Sequence, residues 1–257
     1  MRQIFITAFL LACGGAWAGA ATLPGWDTNH VAAVDQGRTN GQPVLLYFTA
    51  SWCGPCKLMA RSTLTNEAVA KALGSLIHTV IDIDEYQNFA AEHFVRAVPT
   101  FQMLSPDGDT VDSLTGFQEA AGFAQWLTNS ARLARESSLR TRELAEKLAQ
   151  ADKLLGQPGA HAREKAAGVL FDLCGERNAA VQAAVSARLK TLAAADPKAL
   201  LPGLNHARLA ARIQAANLLR ERMGDTFDVD PWSSPADRAK NLQLWREKLS
   251  GPAAEAN

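Results

Sequence analysis

The sequence predicts an α/β domain, a mixed central sheet flanked by helices, followed by an all-α helical domain. Three observations lead there. Apolar runs of strand type alternate with helical stretches from Val44 to Leu127. Two strand-like runs, Val98–Leu104 and Thr110–Leu114, flank Ser105-Pro106-Asp107-Gly108, a hairpin turn in which Pro presets φ and Gly permits φ > 0. From about Ser130 strand formers thin out, and alanine, arginine and leucine dominate. The first part, in the order strand–helix–strand, helix, hairpin and helix, builds a mixed sheet covered on both faces. The length of 257 residues allows one large domain or two ordinary ones.

The chain opens with the pattern of an export signal over residues 1–20. Arg2 supplies positive charge, Ile4–Ala12 is a short apolar core, and Ala16-Trp17-Ala18 and Ala18-Gly19-Ala20 offer small residues at cleavage spacing. Leu10-Leu11-Ala12-Cys13 also resembles a bacterial lipobox, which would make Cys13 a lipid anchor. A retained membrane helix would need a longer apolar run, roughly 18–20 residues. Both export readings place the protein outside the cytoplasm, in the periplasm, and the small number of thiols suits an oxidising compartment.

The α/β domain is expected over 21–135. Asp27–Arg38 reads as a first helix, capped by Asp27 or Thr28. Val44–Thr49 is the first strand. The helix after Cys53 is expected to break near Ser62–Asn66 and to resume over Glu67–Leu73. Leu76–Ile83 is a second strand, Glu85–Phe94 a helix, and Val98–Leu104 a strand that opens with proline. A helix begins near Glu119 with Phe123, Trp126 and Leu127 on one face.

The helical domain is expected over 136–257. It begins within an amphipathic helix, Ala131–Leu155, stopped by Gly156-Gln157-Pro158-Gly159. Helices then follow at Ala160–Cys174, Asn178–Ala195, Pro197–Leu201, Asn205–Met223 and Pro235–Leu249, which suggests a bundle or a solenoid. His161–Leu170 and Arg208–Leu219 are weakly alike, with Arg and Ala at helical spacing before leucine, and resemble HEAT-type helical repeats.

The chemistry concentrates in Trp52-Cys53-Gly54-Pro55-Cys56. The pair sits where a strand hands over to a helix. Unpaired N–H groups and the macrodipole at a helix start favour negative charge, which lowers a thiol pKa, and the thiolate is the nucleophile. A CxxC pair can be a redox dithiol, half of a zinc site or a structural disulfide. Zinc needs four ligands as a rule, and here no second pair exists while His78, His93, His161 and His206 are scattered. The redox reading therefore leads, with no metal and no cofactor expected. Lys+Arg and Asp+Glu are both 26, so no basic face is offered to a nucleic acid.

The run Phe48–Lys57 resembles the active-site signature of the thioredoxin superfamily, and Val98-Pro99-Thr100 appears at the expected place after it. Thr63–Val69 with Lys71-Ala72-Leu73 is similar to exported thioredoxin-like proteins and to the C-terminal domain of membrane thiol:disulfide interchange reductases. The resemblance implies a thioredoxin-like fold and a protein-disulfide oxidoreductase. Cys53, the more exposed cysteine, would attack a substrate disulfide, and Cys56 would resolve the mixed disulfide. Pro99 would be cis and, with Val98 and Thr100, would hold a substrate strand. Trp52, Gly54 and Pro55 would shape the groove. It implies protein thiol or disulfide substrates and a membrane-embedded reductase as electron donor. Two departures stand out: Tyr47 replaces the family's usual buried acid, and Val80 replaces its lysine partner.

Other features have blander readings. Cys174 reads as a buried inert thiol, Asp82–Glu85 as a strand-end cap, and His93 as a surface or packing residue. Two other functions stay open: a binding or chaperone module whose Cys53 and Cys56 hold copper, and an oxidase or isomerase.

Overall fold

The computed structural model describes residues 23–250, so the expected leader and Cys13 lie outside the described residues. The chain divides into two compact units, the first ending at Ser138 and the second starting at Leu139.

The first unit is built on a four-stranded sheet in the order β2-β1-β3-β4. Its strands are β1 (Val44–Thr49), β2 (Ile77–Asp82), β3 (Thr100–Leu104) and β4 (Thr110–Thr115). β1 is parallel to β2 and antiparallel to β3, and β4 is antiparallel to β3. The sheet is mixed, as predicted. Every residue of β1 is buried, as its unbroken apolar run requires of a strand covered on both faces. Alternate side chains serve the two faces. Leu45 and Tyr47 join Phe101, Met103, Val69, Leu73, Phe123 and Leu127 in one core. Val44, Leu46 and Phe48 join Leu104, Ala33 and Ala90 in the other.

Helix α1 (His30–Asn40) starts later than expected. Its cap is Asn29, whose side chain accepts from the Ala32 N–H. Asp27 bridges to Thr79, extending the sheet beyond β2. Helix α2 (Gly54–Leu58) runs on into a π-helical turn, Met59–Thr63, before α3 (Glu67–Leu73). The expected break is therefore a widened turn that begins at Met59. Helix α4 (Gln87–Glu92) is shorter than predicted. β3 starts at Thr100 rather than Val98, since proline lacks the N–H a ladder needs.

Helix α5 (Ala120–Leu155) is one element of 36 residues where the sequence suggested two. No proline, and no glycine after Gly122, interrupts it. Leu144 is buried and Leu148 packs on the core, whereas Leu133 and Leu139 are exposed.

The second unit continues with α6 (Ala160–Asp172), α7 (Ala179–Ala195), α8 (Leu209–Met223) and α9 (Pro235–Ser250). Its core includes Phe171, Leu189, Leu200, Leu219, Phe227 and Trp245. The short helix expected at Pro197–Leu201 is a longer 3₁₀ segment, Pro197–Asn205, and α8 therefore starts four residues later than expected. The 3₁₀ segment approaches Phe171 so closely that a Cβ on Gly203 would lie 2.4 Å from the ring.

Candidate active site

The dithiol residues stand where β1 gives way to α2. Cys53 is the N-cap of α2, and its Sγ accepts from the Cys56 N–H at 3.1 Å. Gly54 and Pro55 form the first helical turn, where proline loses no useful N–H. Cys53 and Cys56 are joined in a disulfide. The sequence suggested that Cys53 is the more exposed of the two, yet both are 3% exposed. The bridge holds the Cys53 sulfur back over the first turn of α2.

The Val98–Pro99 peptide is cis, as the family resemblance implied. The Val98 carbonyl oxygen lies 3.6 Å from Cys53 Sγ. Val98 is half-buried and Pro99 buried, whereas Trp52, Gly54 and Pro55 are exposed. Thr100 is buried like Pro99, and its hydroxyl donates to the Ala97 carbonyl and meets Thr115 Oγ1. It therefore ties the proline loop to β4.

Two groups escaped the sequence reading. The Trp52 indole N–H donates to Asp84 Oδ2 at 2.9 Å, which fixes an exposed ring. Asp82 caps the strand end, accepting from the Asp84 N–H. The acidic run thus has a second use that no local signal announces. The Gly116 N–H donates to the Pro99 carbonyl at 2.8 Å, tying the end of β4 to the proline loop.

Behind the dithiol, Tyr47 is buried and paired in register with Val80, the two departures noted above. Burial pushes the Tyr47 hydroxyl pKa up, opposed in part by Thr49. That hydroxyl is a donor at neutral pH, not a base.

Away from this site, His93 packs on Phe89 and Phe48, with its Nδ1 2.7 Å from Gln102 Oε1. Cys174 is buried, and desolvation pushes its thiol up to about 11. Such a thiol is unreactive. Among the described residues no cluster of three His, Cys, Asp or Glu side chains could hold a metal ion.

The thioredoxin family model matches residues 25–129. Thioredoxin H4 of Arabidopsis thaliana is 37% identical over 94 residues, spanning 36% of this chain and 76% of that protein. The chain belongs to the thioredoxin family. The thioredoxin of Rickettsia felis is 33% identical, over 34% of this chain and 81% of its own. Mitochondrial thioredoxin of Bos taurus is 38% identical over 30% of this chain, but only 45% of its own length is spanned. Among solved structures, the reduced C-terminal domain of Neisseria meningitidis DsbD is 30% identical over 39% of this chain and 92% of that one, at a TM-score of 0.36. All four likenesses fall within less than half of the chain. In this thioredoxin domain Cys53 and Cys56 occupy the family's active-site position, that of a disulfide oxidoreductase. The helical second unit lies beyond the matched residues.

Proposed function

We propose that the protein is an exported thiol–disulfide oxidoreductase that reduces disulfides in other proteins. The observation that carries this reading is the Cys53–Cys56 disulfide at the start of α2, beside the Val98 carbonyl and the exposed ring of Trp52. The leader pattern in the sequence supports export to the periplasm.

In the reduced protein the Cys53 thiolate attacks a substrate disulfide. A Cys53–substrate S–S bond forms, the substrate S–S bond breaks, and the leaving thiolate takes a proton from solvent. The Cys56 thiolate then attacks Cys53 Sγ, which expels the second substrate thiolate and closes the Cys53–Cys56 disulfide. The substrate gains two electrons and two protons. The spent disulfide must be reopened by a dithiol donor, and in an oxidising compartment a membrane-embedded reductase fills that role. Val98, whose N–H has no backbone partner among the described residues, offers a hydrogen-bonding group to a substrate strand. The helical unit supplies a surface for partner selection.

Insulin reduction by the purified protein with dithiothreitol tests the reading. Wild type accelerates it and Cys53→Ser does not. Activity that survives Cys53→Ser overturns the assignment.

A further inference from the structure

Gln102 puts an amide on an apolar face of the sheet. It stands opposite Leu46 of β1, shares its face with Leu104, and is 6% exposed. A buried amide costs free energy unless both of its polar ends are bonded. Both ends of Gln102 go to one residue, His93, the C-cap of α4. Its Nε2 donates to the His93 carbonyl at 2.8 Å, and its Oε1 accepts from His93 Nδ1 at 2.7 Å. A carbonyl only accepts, so the amide has one possible orientation, and that orientation requires the proton of His93 on Nδ1. The two bonds clamp together the ends of the segment that runs from α4 into β3.

That segment contains Phe94, whose φ is +55° and which alone has a positive φ among the described residues other than glycine. Its ring is 83% exposed, so packing of the side chain does not hold this conformation. A bulky residue stays in the left-handed region only where its surroundings keep it there. On one side stands His93, bonded to Gln102. On the other, the Val95 N–H donates to the Ala90 carbonyl at 2.9 Å. Four residues after Phe94, the same segment presents the Val98 carbonyl 3.6 Å from Cys53 Sγ. Without the clamp Phe94 is free to relax to a negative φ, and a rotation of that size at one residue displaces the chain that follows.

We propose that Gln102 is a positioning residue for the dithiol: through His93 and the left-handed turn at Phe94 it holds the Val98 carbonyl against Cys53. In the reduced protein a carbonyl oxygen at that place accepts from the Cys53 thiol and repels the thiolate, and both effects raise the thiol pKa. The clamp thus opposes the start of α2, which lowers it, and sets the fraction of Cys53 ready to attack. Charged groups also flank Cys53. Lys57 on α2 donates its N–H to the Cys53 carbonyl, Asp84 is bonded to Trp52, and Arg96 is exposed on the loop. This inference rests on the disulfide-reducing function proposed above.

The test follows iodoacetamide alkylation of Cys53 against pH in the purified protein, reduced and freed of reductant. About 0.5 M salt screens exposed charges such as Arg96. In Gln102→Leu, which suits the apolar face, the midpoint of the profile falls by about 0.5 pH or more, the weight of one modest hydrogen bond. His93→Phe, which suits Phe48 and Phe89, lowers it too, and the double variant goes no lower than Gln102→Leu, because both remove one clamp. Phe94→Asn placed in Gln102→Leu restores most of the shift, since Asn tolerates the left-handed conformation. A midpoint unchanged in Gln102→Leu or in His93→Phe, whatever the melting temperature does, overturns the proposal. So does a Phe94→Asn that restores nothing. Each of these results leaves the disulfide reductase standing, whereas failure of wild type to reduce insulin overturns the reductase itself.

Discussion

Tyr47 on β1 stands in register with Val80 on β2, and its hydroxyl lies 3.5 Å from the carbonyl oxygen of Cys56. Its ring stacks on Phe101 at 4.5 Å between centroids. The position behind the dithiol is therefore filled by an uncharged, aromatic packing group. Leaving a single buried charge there without its partner would be costly, and the paired replacement avoids that.

Because burial raises the Tyr47 pKa, its hydroxyl keeps its proton while the thiols titrate. Tyr47→Phe should leave the pH profile of the resolving step unchanged, and should cost no more than about 1 kcal/mol of stability, since a 3.5 Å hydrogen bond is weak. Stopped-flow rates across pH and urea midpoints measure both. A profile that loses an ionisation in Tyr47→Phe would assign Tyr47 a proton-transfer role.

His30 makes the first unit acid-sensitive. Its ring packs between Tyr86 and Phe89, and its buried Nδ1 has no hydrogen-bond partner among the described residues. Burial, and then the nearby His93, lower its pKa from 6.5. The folded state thus binds the proton less readily than the unfolded chain. This contribution to stability is complete above 6.5 and is lost as pH falls through that value toward the lowered folded pKa. His30→Phe, which suits the aromatic surroundings, should flatten the decline in melting temperature on the acid side of 6.5. An unchanged slope would refute the assignment.

Glu176 gathers two arginines in the helical unit, Arg140 at 2.6 Å and Arg208 at 3.2 Å, and its carboxylate is largely covered. The hydrogen bond from Arg140 contributes most to lowering its pKa below 4.5. A depressed carboxylate pKa stabilises the fold above 4.5, and that stability fades as pH drops through the folded value. Glu176→Gln should destabilise the helical unit by roughly 1–3 kcal/mol at neutral pH, and by less at pH 3, where wild type loses the same charge. Chemical denaturation at the two pH values supplies the comparison. Equal losses at both would show that the charge contributes nothing.

Gly203 is required by close approach. Added carbon there would meet the Phe171 ring at 2.4 and 2.5 Å and Ala215 Cβ at 2.7 Å. Gly203→Ala should cost about 1–3 kcal/mol through overpacking of the helical core. A double variant with Phe171→Leu should recover part of that loss. A Gly203→Ala protein as stable as wild type would show that the 3₁₀ segment can move away.

Much of the first unit was legible because its signals are local. Val44–Thr49 is an unbroken apolar run between turn residues, and the strand has those bounds in the structure. Asn66 before Glu67 is a capping pattern, and the Asn66 side chain accepts from the Ala68 N–H as such a pattern predicts. Other boundaries depended on distant partners. Asp27 carries a cap-type side chain, but its backbone is drawn to Thr79 on β2, so the cap passed to Asn29. The short helix at Pro197 became a longer 3₁₀ segment packed against Phe171, whose ring no local window contains.

The dithiol, its place between a strand and a helix, and the proline that follows were determined by the sequence alone, since each is a short pattern with its own chemistry. The tertiary structure decided which groups stand beside them. Asp84 reaches Trp52 across a separation of 32 residues, and Gly116 reaches Pro99 only because β4 returns antiparallel to β3. It likewise buried Thr100, whose hydroxyl bonds to the Ala97 carbonyl and to Thr115 Oγ1. The physical reason is register: strand pairing fixes which loop ends share an edge, and burial of the apolar faces of the central strands β1 and β3, rather than any local preference, fixes the pairing.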